Sequence, residues 1–235
     1  MIQSMSVGKL SNKFLIKRWP ICCLLFFISV SCNQGQVINR YETNVADSIA
    51  QAQLAARAFE QVRSVIPIIH SGDLITRTGN DFTSESLRQF NQRDQTYSHC
   101  GIASIENDSV FIYHALGGEF NPDQKIRRDP IQIFTEAYNN IGIGIFRYKL
   151  QAAEMSHLLS TVKKWYFSSI MFDMKFDLQT DDRMYCAEFV YKALLVASNN
   201  NLRFNTSHIK QFEFVGVDDL YLQPECVELK RILYK

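Results

Sequence analysis

The 235-residue sequence predicts an α+β domain built on a largely antiparallel sheet. Three observations lead there. Helical and strand-like segments are mixed along the chain without strict strand–helix–strand alternation. Two apolar, β-branched runs, "YSHCGIASI" and "VFIYHAL", are separated only by "ENDS", which is a hairpin pattern. And "RMYCAEFVYKALL" opens an amphipathic helix with a cysteine as the first member of its apolar stripe.

The elements follow in order. Residues 33–43 are polar and read as a tether. A helix is predicted from Asn44, where Asn44 and Asp47 resemble a capping box, and Val45, Ile49, Ala55, Phe59 and Val62 hold its stripe until Pro67 closes it. "IIHSGDLITRTG" places β-branched residues between turn formers, predicting a strand near residues 68–77. Residues 84–92 read as helical, the hairpin follows, and "IRRDPIQIFTEAYNN" reads as a short helix. "IGIGIFRYK" is a further strand, residues 151–167 a helix, residues 186–198 another, and "FEFVGVDDLY" a late strand.

Residues 1–32 stand apart from this domain. Lys9, Lys13, Lys17 and Arg18 precede an apolar run from Trp19 to Val30. A run that short does not span a bilayer, which takes about 20 apolar residues, but it has the length of a signal-peptide core. It ends in "SVSC", which resembles a bacterial lipobox with Ser29 where leucine is usual, so Cys32 is the predicted lipidation site. The predicted organisation is therefore a signal segment at 1–32, a tether and N-terminal helix at 33–67, and a domain at 68–235. The protein is expected to be exported and anchored by its lipid to a membrane of the bacterial cell envelope.

Without residues 1–32 the chain carries 21 basic against 24 acidic groups and contains no block of five Lys or Arg. That charge balance excludes a nucleic-acid binder, which needs a basic face for phosphates. Of six cysteines, Cys100, Cys186 and Cys226 remain in the domain, an odd number, so at least one thiol is free or pairs between molecules. No His/Cys cluster has metal-ligand spacing, and neither a metal nor a cofactor is predicted.

Cys186, Phe189, Val190, Ala193, Leu194 and Ala197 share one helix face, which puts Cys186 in the first turn and facing inward. There the main-chain N–H groups lack helical partners and the dipole favours an anion, so a thiolate is stabilised. Asp181 and Asp182 oppose it, so a cation is still wanted. Taken alone, a buried cysteine is more often plain core. The hairpin changes the balance. A two-residue or a four-residue loop gives one register, with His114 opposite Gly101 and His99 opposite Leu116. His99 and His114 are then diagonal neighbours on one sheet face, with backbones about 7–8 Å apart. Two imidazoles near a helix-capping thiol are the parts of a Cys-His-polar triad, with His99 as base and His114 orienting it. In this register Cys100 falls on the opposite face, apart from that chemistry. His70, His157 and His208 read as structural.

"SGDLITRTG", "YSHCGIASI", "FIYHA" and "FDMKFDLQTDDRMYCAEFVYKAL", in that order, resemble the circularly permuted papain-like family of YiiX/YaeF type, relatives of the NlpC-type cell-wall amidases. The resemblance runs from Ile68 to the C-terminus. It implies a permuted papain-like fold, with an antiparallel sheet packed against helices, one of which carries the cysteine. It further implies that Cys186 is the nucleophile, His99 the base and His114 the third, polar member. A histidine in that third place is closer to the lecithin:retinol acyltransferase branch, and Ala187 stands where Ser or Thr is more usual. The expected activity is cleavage of an amide or ester bond through an acyl-enzyme, with the oxyanion held by the Cys186 N–H and by Tyr97. Expected substrates are a peptide, a cell-wall fragment or an acyl-lipid. The rivals are an acyltransferase using the same triad and a non-catalytic lipoprotein that binds peptide or lipid.

Overall fold

The computed structural model describes residues 34–118 and 121–234. The predicted signal segment and the predicted lipidation site Cys32 lie outside those residues. The first helix, α1 (Gln34–Val65), starts ten residues before Asn44. Residues 34–43 are therefore helical rather than an irregular tether, since they are rich in Gln, Arg and Glu and contain no proline to end a helix. Pro67 acts as predicted, ending α1 in a short 3₁₀ turn (Ile66–Ile68).

Six strands form one sheet: β1 (Leu74–Gly79), β2 (His99–Glu106), β3 (Ser109–His114), β4 (Arg127–Pro130), β5 (Asn140–Tyr148) and the final strand, Cys226–Leu233. A hairpin of two short strands, β6 (Ser207–Ile209) and β7 (Phe212–Phe214), stands apart, so the final strand is β8. The sheet order is β4-β3-β2-β1-β5-β8 and every neighbouring pair is antiparallel. The helices are α2 (Phe82–Arg88), α3 (Ile131–Phe134), α4 (Ala152–Phe167), α5 (Cys186–Ala197) and α6 (Val217–Tyr221).

The β2–β3 hairpin has the predicted register, with Glu106 opposite Ser109 and Ile102 opposite Tyr113. Its two loop residues, Asn107 and Asp108, have φ of 48° and 60°. Two consecutive residues in the left-handed region are what a tight type I′ turn requires, and Asn and Asp tolerate it. Because side chains alternate along β2, the sheet separates two cores. Cys100 and Ile102 join the core that α4 and α5 cover. Ala103 joins the other, with Ile75, Ile112, Ile145 and Phe134. The stripe of α5 is buried as predicted, with Phe189, Val190, Ala193 and Leu194 all fully inaccessible. Burying Phe189 alone is worth about 1.5–3 kcal/mol.

Two predicted elements differ. "FEFVGVDDLY" is not one strand: Gly216 precedes a turn into α6, and only Phe212–Phe214 is extended. The edge strands β4 and β8 carry too many polar groups to show an apolar pattern: the sequence reading puts "RRDP" in a short helix, of which only Ile131–Phe134 is helical, and leaves β8 unplaced.

Candidate active site

Cys186 is the first residue of α5, and the helix head is fixed before the thiol is considered. The Glu188 carboxylate accepts the N–H of Tyr185 at 3.1 Å and pairs with Lys192 at 2.9 Å. Glu188 is thus a buried cap, not a surface group, and burial pushes its carboxyl up to about 7. The Tyr185 hydroxyl accepts the N–H of Val215, tying the helix entry to the segment before α6.

Three groups converge on the Cys186 sulfur. The Cys100 thiol acts first, and the main-chain N–H groups of Cys100 and Ala187 add to it. The Cys100 N–H is available because β3 pairs with β2 only from Ile102 onward. Arg77, half-buried on β1 opposite His99, supplies the cation that the helix lacks. Together they outweigh burial and hold the Cys186 thiol below its ordinary pKa, while Cys100 is pushed well above its own, burial being the main cause.

The histidines come from the neighbouring strands. Continuing the β2–β3 register puts Gly101 opposite His114. A Cβ on Gly101 would lie 2.7 Å from the Tyr113 carbonyl oxygen and 2.9 Å from the His114 Cβ, so only glycine lets the His114 ring lie across β2. His99 Nε2 and His114 Nδ1 are 2.8 Å apart, with the rings edge to face. His114 Nε2 is 3.1 Å from Asp129 Oδ2, and Arg127 holds that carboxylate at 2.8 Å. Asp129 lies opposite Ile112 on β4, so it is diagonal to His114 as His114 is diagonal to His99. The same step repeated across three strands makes a file of three side chains. Phe134 packs against both rings, at 5.6 and 5.0 Å between centroids. Arg77 crosses the Phe134 ring at 4.9 Å and donates to its carbonyl.

The charge states fix the protons along this file. Burial alone would raise Asp129, but the bonds from His114 and Arg127 hold its carboxyl below the usual range. An ionised carboxylate only accepts, so His114 Nε2 carries a hydrogen. Burial is the main cause that brings His114 down to about 4, with the Asp129 bond opposing, so at neutral pH its Nδ1 is a lone pair. His99 must then donate from Nε2. Burial, followed by the Arg77 charge, holds His99 well below an ordinary imidazole, so its Nδ1 is also a lone pair. That nitrogen makes no hydrogen bond among the described residues.

The structure brings His99 and His114 together as predicted. It adds Asp129 and Arg77, which the sequence reading missed. Asp129 lies in "RRDP", whose strand character is masked by charge. Cys100 corrects an expectation. It is indeed on the face opposite His99, but α5 packs on the Cys100 face, so Cys100 is the thiol's neighbour rather than a bystander. The expectation that His99 rather than Cys100 faces the Cys186 sulfur is corrected: Cys100 is the thiol's partner, and among the described residues no hydrogen bond joins His99 to Cys186. The two share instead the peptide N–H between His99 and Cys100 and the Arg77 charge. Tyr97 is placed away from an oxyanion position. Its ring packs against Phe146 and Tyr221, and its hydroxyl lies beside Thr76 and Gly144 in the sheet. Cys226 is free and half-buried, and it forms no disulfide with Cys100.

Cys186 also lines a cavity of about 260 Å³ between the end of α2, the 175–176 loop, the head of α5 and the β7–α6 segment.

A family model described as permuted papain-like amidase enzyme, YaeF/YiiX, C92 family, matches residues 69–215. A crystal structure titled as the metalloprotein yiiX from Escherichia coli O157:H7 is similar with a TM-score of 0.57 and 18% identity, over 70% of this chain and 98% of that one. At that identity it speaks to the fold alone. No curated protein matches the chain. As to a metal, His99 Nε2 and His114 Nδ1 are at direct hydrogen-bond distance, closer than two nitrogens sharing one tetrahedral ion at about 2.0–2.1 Å each. Among the described residues no group of three His, Cys, Asp or Glu side chains is placed to hold one. With the sheet order, the cysteine at the head of α5 and the family match over more than half of its length, the chain belongs to the permuted papain-like amidases of the YaeF/YiiX family.

Proposed function

We propose that the protein is a thiol hydrolase that cleaves an amide or ester bond through an acyl-enzyme, with Cys186 as nucleophile, His99 as base and His114 as the member that orients it. The observation that carries this reading is the file His99–His114–Asp129, which leaves a lone pair on His99 Nδ1. Cys186 Sγ attacks the substrate carbonyl carbon while its proton passes to His99 Nδ1. In a ligand-free enzyme such a contact is often long and tightens only with substrate present. The oxyanion is received by the Cys186 N–H, which has no helical partner at the first turn. As the carbon–nitrogen or carbon–oxygen bond breaks, the leaving group takes the proton from His99. Water then attacks the thioester, giving its proton to His99, and the thiol leaves as the proton returns to sulfur. Each time His99 is charged, the Asp129 carboxylate two rings away offsets it.

Replacing Cys186 by alanine removes little volume, so the fold should persist while activity falls at least ~10³-fold. Turnover by purified Cys186→Ala comparable to the parent's would sink the thiol mechanism. We further propose that Cys32 carries a lipid anchoring the enzyme in the bacterial cell envelope. In cells, Cys32→Ser should move the protein out of the detergent-soluble membrane fraction or leave an unprocessed precursor. Unchanged mature mass and partitioning would count against lipidation.

A further inference from the structure

We propose that Cys100 and Cys186 together form an oxidation site, at which a hydroperoxide closes the two thiols into a disulfide that a thiol reductant reopens. The bond is a property of the pair. Only its consequence, a nucleophile taken out of use, rests on Cys186 being the catalytic thiol.

The two sulfurs are neighbours, and both are free. Cys100 is the second residue of β2 and Cys186 the first of α5, and α5 packs on the face of β2 that Cys100 occupies. The Cys186 sulfur accepts hydrogen bonds from both the main-chain N–H and the thiol of Cys100. Contact at the root and the tip of one residue puts that sulfur over Cys100 itself. This is the close approach a disulfide demands, with Cα atoms about 4.4–6.8 Å apart. Cys226, the other free thiol among the described residues, stands on β8, with β1 and β5 between it and β2. Three strand spacings are about 14 Å, too far for either residue to reach the other.

The pair is asymmetric in the way a two-step oxidation needs. Cys186 is 9% exposed and lines the cavity, whereas Cys100 is fully inaccessible and is not part of that wall. An oxidant entering by the cavity therefore meets Cys186 first. Cys186 is also the thiol held below its ordinary pKa, and the thiolate is the form that peroxide oxidises. Cys100 waits behind it as a protonated thiol, raised first by burial and then by its bond to Cys186 and the Cys186 charge. Once Cys186 is a neutral sulfenic acid, that charge is gone and Cys100 is freed to react.

The steps balance. The Cys186 thiolate attacks one peroxide oxygen: the S–O bond forms, the O–O bond breaks, and the departing hydroxide takes up the proton that Cys186 released on ionising. The Cys100 sulfur then attacks the Cys186 sulfur. The S–S bond forms, the S–O bond breaks, and the hydroxyl leaves with the Cys100 proton as a second water. The two thiols have lost two electrons and two hydrogens, and one hydrogen peroxide has been reduced to two waters. Dithiothreitol reverses the bond by thiol–disulfide exchange and ends as its own cyclic disulfide. Without Cys100 the sulfenic acid would go on to sulfinic acid, which thiols do not reduce.

The test treats the reduced full chain with graded hydrogen peroxide, blocks the remaining thiols with iodoacetamide and maps unreduced peptides by mass spectrometry. A Cys100–Cys186 cross-link, two hydrogens lighter than the separate peptides, should appear while Cys226 is still alkylated. Dithiothreitol added after the peroxide should return Cys186 labelling in full. Cys100→Ala and Cys100→Ser remove the second thiol, one without and one with a polar atom in the buried place. In both, Cys186 should pass to sulfinic acid, and dithiothreitol should return almost none of its labelling. No oxidation at Cys186, sulfinic acid there in the parent without a cross-link, or a bond to Cys226 overturns the inference and leaves the nucleophile standing. A cross-link that forms while turnover is undiminished upholds the oxidation site and overturns Cys186 as nucleophile.

Discussion

The file of polar groups behind Cys186 and the apolar cavity beside it are assembled in different ways. His99, His114 and Asp129 sit on three adjacent strands, and each place is set by a ladder register and one diagonal step. The cavity is gathered from segments as far apart as Leu87 and Val217, and its walls include a loop and a two-stranded hairpin. Shifting one strand by one residue would turn a member of the file to the other face and disconnect it. Replacing one of the phenylalanines of the wall changes the shape of a hole and leaves the file in place. Chemistry held by register is thus hard to vary, whereas selectivity held by loops can change around it.

The sharpest way to break the file from its far end is Asp129→Asn. An asparagine can present its N–H₂ to His114, which would then donate from Nδ1 to His99 Nε2 and force the hydrogen onto His99 Nδ1. The base would carry a proton before it was needed. A fall of about 10²–10⁴-fold in kcat is expected. Full activity in Asp129→Asn would mean that the file does not set the state of His99.

Acid should act on the file next. His114 is lowered to about 4 in the folded protein, against 6.5 unfolded. Between those values the unfolded chain binds a proton that the folded one refuses, so this ring's contribution to stability falls as pH drops from 6.5 toward 4 and levels off below. The loss attached to this ring is about 3 kcal/mol. Urea titrations across that range should show it, and the slope should flatten in His114→Gln. An equal slope in the variant would place the acid sensitivity elsewhere.

The smallest expected effect concerns Cys100. Its thiol is the first of the groups that lower Cys186, so Cys100→Ala should raise the pH at which Cys186 becomes reactive. Cys100→Ser keeps a donor and should restore the parent's profile. The rate of Cys186 alkylation against pH reads both, and coincident profiles for parent and Cys100→Ala would remove Cys100 from the account.

What could be read from the sequence follows the same division. The stripe of α5 and the alternation around "ENDS" are strong local patterns, and they suffice to place Cys186 at a helix head and His99 beside His114. Asp129 was hidden because an edge strand spelled "RRDP" has no apolar alternation, although its distance from His114 repeats a simple geometric step. Arg77 and Cys100 were hidden because strand order and the face on which α5 packs are tertiary facts. The cavity was invisible for the same reason: four phenylalanines scattered from 90 to 214 have no period.

Gly101 carries no functional group, yet it decides how closely the His114 strand can approach β2. A single methyl there would have to displace a carbonyl oxygen and the root of the His114 side chain, neither of which can swing aside. A sequence with every reactive residue intact and alanine at that position would be judged competent by any reader who checks only the reactive letters. In the proposed mechanism it would keep every reactive group and lose the spacing between them. Screening for living members of such a fold therefore means inspecting the empty place between the histidines as carefully as the histidines themselves.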